Sequence, residues 1–343
     1  MISLADLTTL RVGGPARSLR EAASTGELIE AVTTLDGRGE PLLLVAGGSN
    51  LLVADAGFEG SVVRVGTSGI RVEQSDPGFV RVRVAAGEPW DAFVVAALEH
   101  GWSGLEALSG IPGSTGATPI QNVGAYGAEV SQVVESLEVL DRTTGQVMEM
   151  PARAAGFSYR SSALKRDPGR WVVLSVAMRL AVDPMSAPVG YAELAGLLGV
   201  GIGDRAPGSE VRQAVLELRR GKGMVLDPGD HDTWSAGSFF TNPILSAAQA
   251  EQLPEGAPRF AQADGSVKTS AAWLISRAGF DKGFALAPGA PASLSTKHVL
   301  ALTNRGGARA QDLLELARAV RAGVQDRFGI LLENEPVLVG CAL

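Results

Sequence analysis

Sulfur and imidazole are scarce in this chain of 343 residues. It has one cysteine, Cys341, and three histidines, His100, His231 and His298. A single thiol excludes a disulfide framework and any multi-cysteine metal site, and three scattered imidazoles do not make a zinc cluster, so no metal is expected. No apolar run approaches the roughly 18 residues a spanning helix needs. The opening MISLADLTTLRVGG lacks a basic segment leading into an apolar one. The expectation is a protein with no membrane association and a cytoplasmic location. Positive charge is also short, since 30 Lys and Arg face 37 Asp and Glu for a net charge of −7. Nucleic acids and anionic membranes select basic surfaces, so neither is expected as a partner. Acidic small molecules remain possible ligands wherever cations cluster locally.

What is present suits a globular enzyme. Hydrophobic residues make up 45% of the chain, enough for real cores, and the length suggests two domains at about 150 residues each. Strand-like runs fall at 42–46, 62–65, 80–85, 137–140, 147–150 and 171–182. Helical spacing is found at 91–100, 211–220 and 308–328, the last with Leu313, Leu316, Val320, Val324 and Phe328 on one face. Strands and helices mix without a regular βαβ alternation, which predicts an α+β fold over a doubly wound sheet. Composition shifts near 67–69, 199–208 and 227–230 mark candidate boundaries.

Two glycine-rich segments carry the chemistry. In VAGGSNLLV a strand runs into Gly47, Gly48, Ser49 and Asn50, followed by Leu51. In GLEALSGIPGSTGATPIQNVGAYG, residues 104–127, Glu106 is the only charge, and Gln121, Asn122 and Tyr126 interrupt the small residues. Glycine permits positive φ and close approach of a ligand to backbone N–H groups, so such loops bind anions. One such turn is ordinary; two, each with hydroxyl or amide side chains, favour a phosphate or pyrophosphate. No G-x-G-x-x-G follows a strand and no G-x-x-x-x-G-K-[ST] occurs, so a dinucleotide would bind outside the Rossmann and P-loop schemes.

These segments, together with TTLRVGGPA, FSYRSSALK, AGSFFTNP, STKHVLALTNRG and LENEPVLVG, resemble UDP-N-acetylmuramate dehydrogenase, also called UDP-N-acetylenolpyruvoylglucosamine reductase, over nearly the whole chain. The resemblance implies an FAD-binding fold of the vanillyl-alcohol-oxidase type, with two α+β subdomains and a separate α+β substrate-binding domain. Residues 1–68 and 69–220 would be the FAD-binding subdomains, the second joined by a C-terminal strand at 331–343, and 221–330 the substrate-binding domain. Non-covalent FAD would be held by Gly47, Gly48, Ser49, Asn50, Leu51, Gly113, Ser114, Thr115 and Gly116. Asn122, Gly124, Ala125 and Tyr126 would lie by its ring. NADPH would be co-substrate, and the product UDP-N-acetylmuramate would feed peptidoglycan synthesis.

Reduction of an enolpyruvyl ether places negative charge on the carboxylate system and needs a proton donor. The resemblance implies Arg160 as a carboxylate clamp, suited to it because a guanidinium forks onto two oxygens. Glu335 would share in polarising that carboxylate, which requires it to be protonated or to hold a proton-carrying neighbour in place, and Ser238 would supply the proton. Glu333, two positions from Glu335, is expected on the same strand face. Lys222 matches a lysine that reaches the diphosphate, Tyr191 a tyrosine on a mobile loop of the longer type I members, and Asn242 a further substrate contact. A monomer is expected. His298 is placed at a strand start, as a satisfied histidine. The alternative is a flavin-dependent sugar or alcohol oxidase of the same fold, which often links its flavin through His or Cys; neither glycine loop contains one. A non-catalytic nucleotide-binding protein would need none of Arg160, Ser238 and Glu335.

Overall fold

The computed structural model describes residues 2–343. They form two compact units that do not follow chain order: one contains 16–47 and 59–225, the other the N-terminal residues through Pro15, 48–58 and 226–343.

In the first unit, strands β1 (Ala16–Ala22), β2 (Leu42–Val45) and β3 (Phe58–Val65) form a sheet in the order β1-β3-β2, with β2 and β3 parallel. Helix α1 (Thr25–Gly37) starts at Ser24, whose hydroxyl accepts the Glu27 N–H, and buries Leu28, Ala31 and Val32. The main sheet is antiparallel. Its strands β4 (Ile70–Asp76), β5 (Phe79–Ala85), β6 (Val134–Asp141), β7 (Gln146–Pro151) and β8 (Trp171–Val182) lie in the order β7-β6-β8-β5-β4, and Trp102–Ser103 pairs with the end of β8.

Strand β5 alternates inward Val80, Val82 and Val84 with outward Arg81 and Arg83, the period-two pattern of a half-buried strand. Helix α2 (Trp90–Glu99) covers the inward face with Trp90, Phe93, Val94 and Ala97. Each large side chain buried there contributes about 1.5–3 kcal/mol. Strand β8 is buried from Val172 to Met178, because Val172 and Leu174 pack with α1 on one side while Val173, Val176 and Met178 join the α2 core on the other. Outward on the sheet, Arg83 pairs with Glu73 and Glu149, and Arg81 with Glu73 and Glu135. Helices α3 (Ala192–Leu198) and α4 (Gly208–Gly221) close the unit over Val189, Leu194, Val211 and Val215.

The second unit is built on helix Ala310–Phe328, whose Leu313, Leu316, Val320 and Val324 face a core shared with helix Ala271–Arg277, the antiparallel pair Ala292–Leu294 and Leu302–Asn304, and Phe239 and Phe240. The Asp55 carboxylate accepts the N–H groups of Ala310 and Gln311, placing negative charge on the helix N-terminus, and Gly329 at φ +67° ends the helix. Strand Val337–Val339 pairs in parallel with Leu51–Val53, so the C-terminal strand joins the segment after the first glycine loop; the sequence reading had set it beside 69–220. The two strands are far apart in sequence, and neither pattern names its partner. His298 lies in the turn between Ala292–Leu294 and Leu302–Asn304 and not at a strand start. Among the described residues no helix is long and apolar enough to cross a membrane.

Candidate active site

Within the first unit the two glycine segments meet. A Cβ on Gly47 would lie 2.6 Å from the Gly113 α-carbon, and Gly113 itself has φ +118°, a conformation L side chains rarely adopt. The loop from Gly113 is fastened to the start of α2. The Gly113 carbonyl accepts the Trp90 N–H, Thr115 donates through its N–H to the Glu88 carbonyl, and the Gly116 N–H donates to Ala86. Gly116 is glycine for this packing, since a Cβ would meet that of Ala86 at 2.5 Å. The N–H groups of Gly47, Gly113 and Ser114 have no acceptor within the protein among the described residues, and the buried Ser114 hydroxyl also lacks a partner. Of these residues Ser114 is buried, where polar groups are normally paired, whereas Gly113 is half-buried and Gly47 exposed. Donors left over at a junction with no room for a Cβ form a cradle suited to a polyanionic group, and the residues present fit the pyrophosphate of FAD.

Further along the segment, only four non-glycine residues among those described have positive φ: Arg11, Asn122, Tyr126 and Arg160. Three of them are expected site residues, and such backbone strain clusters where function over-determines the conformation. Tyr126 and Gly127 are the two central residues of a hairpin in which Gly124 pairs with Glu129 and Ala125 with Ala128. Both have positive φ, which a type I′ turn requires. Arg160 is the second of the two central residues of the turn closed by Ser158 and Ser161, at φ +52°, where Gly or Asn is the ordinary choice. Its Nη2 donates to the Gly124 carbonyl at 2.9 Å, and Gly124 has no room for a side chain against Ala128 and Glu129. Asn122 is 1% exposed; its amide donates to Glu129 and the Ser158 carbonyl, and its Oδ1 accepts from Ser131. That side chain joins the hairpin to the Arg160 turn.

Beside the hairpin stand Tyr191 and Lys222. The Tyr126 and Tyr191 rings meet edge-on with centroids 5.5 Å apart, and Lys222 Nζ lies 5.6 Å from the Tyr126 centroid. Lys222 is the C-cap of α4 and donates to the Glu193 carboxylate at 2.6 Å. Burial alone would lower its pKa, but the Glu193 carboxylate outweighs that and raises it. Burial pushes the Tyr126 phenol up.

One residue of this group escaped the sequence reading. Arg219 is 8% exposed, its Nη2 donates to the Met224 carbonyl, and its Nε has no hydrogen-bond partner. Burial lowers its pKa to about 10. The signal was available: Val211, Val215 and Arg219 recur every fourth residue and share one helix face.

The remaining expected residues belong to the second unit. Gly48 has φ +57°, and a Cβ there would collide with the Leu7 carbonyl oxygen at 1.7 Å. The Asn50 amide donates to the Glu335 carbonyl at 3.3 Å, its own carbonyl accepts the Val337 N–H, and Leu51 begins the pairing with Val337. The segments that carry Ser238 and Glu335 are joined by an antiparallel bridge between Phe240 and Asn334. The Glu335 N–H donates to Phe239 at 2.8 Å and the Thr241 N–H to Glu333 at 3.0 Å, so Glu335 pairs across from the residue after Ser238. Glu335 is half-buried, whereas Glu333 is exposed. Asn242 Oδ1 accepts the Ala271 N–H at the start of helix Ala271–Arg277.

Comparison with known proteins defines first a class. Residues 16–151 match the family model described as FAD binding domain, which makes the chain a flavoprotein of mixed α and β structure. Residues 227–339 match the model described as UDP-N-acetylenolpyruvoylglucosamine reductase, C-terminal domain. The UDP-N-acetylenolpyruvoylglucosamine reductase of Cutibacterium acnes is 57% identical over 342 residues, covering 100% of this chain and 90% of the relative. That of Salinispora arenicola is 55% identical over 99% of this chain and 95% of its own. The crystal structure of the Thermus caldophilus enzyme is 28% identical with a TM-score of 0.65, covering 98% of this chain and 97% of that one. The chain belongs to the UDP-N-acetylenolpyruvoylglucosamine reductase family.

Proposed function

We propose that this protein reduces UDP-N-acetylglucosamine enolpyruvate to UDP-N-acetylmuramate with NADPH, as a cytoplasmic monomer supplying peptidoglycan synthesis. The observation that carries the reading is identity above half over the full chain with reductases of this name. FAD would supply the hydride chemistry that links NADPH to the methylene carbon of the enolpyruvyl group. Gly47, Gly48, Ser49, Asn50 and Leu51, with Gly113, Ser114, Thr115 and Gly116, hold it, and Asn122, Gly124, Ala125 and Tyr126 line its ring.

In this reading Arg160 clamps the substrate carboxylate, and the Gly124 carbonyl that accepts from Nη2 helps aim the guanidinium. Ser238 donates the proton to the carbon next to the carboxylate, a transfer a hydroxyl can make when an oriented neighbour stabilises the alkoxide. Glu335, protonated or holding a proton-carrying neighbour in place, polarises the carboxylate. Tyr191, Lys222 and Asn242 bind the nucleotide-sugar, with Lys222 on the diphosphate. By role, 1–68 and 69–220 serve the flavin and 221–330 the substrate.

The test is NADPH oxidation with and without the enolpyruvyl substrate, in the wild type and in Ser238→Ala. Flavin reduction by NADPH should survive the substitution and reoxidation by substrate should fail. Rapid peroxide formation with simple sugars, and no response to the enolpyruvyl substrate, would establish an oxidase.

A further inference from the structure

The cluster around Tyr126 contains one group that an anion-binding site should not want. Lys222 and Arg219 are cations three residues apart at the end of α4, and Tyr126 and Tyr191 can both donate a phenolic proton. Glu193, in the first turn of α3 and two residues beyond Tyr191, is a carboxylate, and it occupies Lys222 at 2.6 Å. Arg219 has no such carboxylate. Asp91 acts on Arg219 through space, without an ion-pair contact, and is itself held by both arms of Arg212 at 2.6 and 2.9 Å. Among the described residues, Glu193 is thus the one acidic side chain in contact with a cation of the cluster.

Its position on the chain gives that contact a second effect. The segment leading into α3 lies directly on the hairpin turn, where a Cβ on Gly127 would meet Gly190 backbone at 2.9 Å. The Lys222–Glu193 pair therefore joins the end of α4 to the same short segment that sets the Tyr191 ring against Tyr126. The pair is part-exposed, with side-chain exposures of 30% and 44%, and ion pairs of that kind exchange readily for another anion.

We propose that Glu193 is an internal stand-in for the substrate's diphosphate: it holds Lys222 and the 190–193 segment in the free protein, and it yields Lys222 when a nucleoside diphosphate binds. The inference rests on the reading of Lys222 as a diphosphate contact. Lys222 presents a compact charge on a flexible stem, so its ammonium swings from carboxylate to phosphate without a change of fold. Glu193 then acts as a positioning residue and as a filter, because only a ligand bringing its own negative charge compensates the lost pair. Uridine gains nothing from Lys222; uridine diphosphate does.

Calorimetric titration of the FAD-loaded protein with uridine diphosphate and with uridine tests this, at one low salt concentration throughout. Glu193→Gln should bind uridine diphosphate about fivefold more tightly than wild type, the range an exposed pair commands, with uridine affinity unchanged. Lys222→Ala should bind the diphosphate more weakly. If Lys222→Ala weakens binding but Glu193→Gln leaves it equal or weaker, the stand-in role is overturned while the lysine assignment stands. If Lys222→Ala leaves the diphosphate affinity untouched, the lysine assignment fails and the stand-in role goes with it.

Discussion

The α-carbon of Gly113 lies where a side chain on Gly47 would begin, 2.6 Å from the Cβ position. Two glycine loops from separate stretches of chain meet there backbone to backbone, next to N–H groups with no acceptor among the described residues. Gly47→Ala is a steric test, because Gly47 itself does not have positive φ. Overpacking of this kind costs about 1–3 kcal/mol, or about fivefold to 150-fold weaker binding if the strain falls on the cradle. The purified variant should lose its absorbance at ~450 nm on gel filtration, as should Gly113→Val, whose φ of +118° suits no β-branched residue. Full flavin occupancy in both would remove the cradle from cofactor binding.

Arg160 is held in a left-handed turn position that glycine would fill more easily, which argues that its side chain is what matters. Arg160→Lys retains charge and loses the fork. Turnover should fall about a hundredfold, close to 2.7 kcal/mol in the barrier, with flavin content and thermal midpoint near wild type. Turnover within twofold of wild type would exclude a bidentate role.

The bridge between Phe240 and Asn334 separates two glutamates that sequence alone treats alike. Glu335 is half-buried and bonded to Phe239 through its N–H, and Glu333 is exposed. Glu335→Gln should lose at least a hundredfold in reoxidation of reduced flavin by substrate. Glu333→Gln should stay within about twofold of wild type, as surface substitutions do. Stopped-flow spectra of that half-reaction decide the matter, and the reverse pattern would transfer the role to Glu333.

Asp91 anchors the glycine segment from outside the site. It accepts the Gly110 N–H at 2.6 Å and both arms of Arg212. Burial pushes this carboxyl up, but the guanidinium and the amide outweigh it, so its pKa lies below the ordinary value. A lowered folded-state pKa stabilises the protein above the unfolded value near 3.9 and loses that contribution as pH falls through the folded value. Urea unfolding should therefore find wild type more stable than Asp91→Asn at pH 6, with the gap closing below about pH 4. A gap that holds constant into acid would mean that the Asp91 ionisation does not support the fold.

Periodicity alone located much of this architecture. The spacing at 211–220 became Gly208–Gly221, and that at 308–328 became Ala310–Phe328. The valines of 80–85 became the alternating inner face of β5. These signals are local, since one face of one element must be apolar wherever the element ends up. Partnership is not local. Nothing in PVLVG specifies Leu51–Val53 as its neighbour, and the carboxylate that caps Ala310–Phe328 is Asp55. The sequence reads the glycine loops as anion sites, and the structure adds that Gly48 and Gly116 leave no room for a Cβ beside the Leu7 carbonyl and Ala86. Asn122 read as a ring neighbour, and its side chain turns inward to Glu129 because the hairpin needs fastening. Arg219 lies on an otherwise apolar helix face, and no motif around it marks the burial of its charge.

The discontinuity of the second unit has a consequence for synthesis on the ribosome. Chain emerges from the N-terminus and domains fold as units. Residues 16–47 and 59–225 have all their mutual partners before position 226 is translated, whereas the segment through Pro15 and residues 48–58 must wait for 226–343. Leu10, Val12 and Leu52, fully buried in the finished protein, are thus apolar side chains without a core for more than half of elongation. The nascent chain carries its own unfinished interface through that interval, and the helix begun at Ala310 supplies the surface that relieves it.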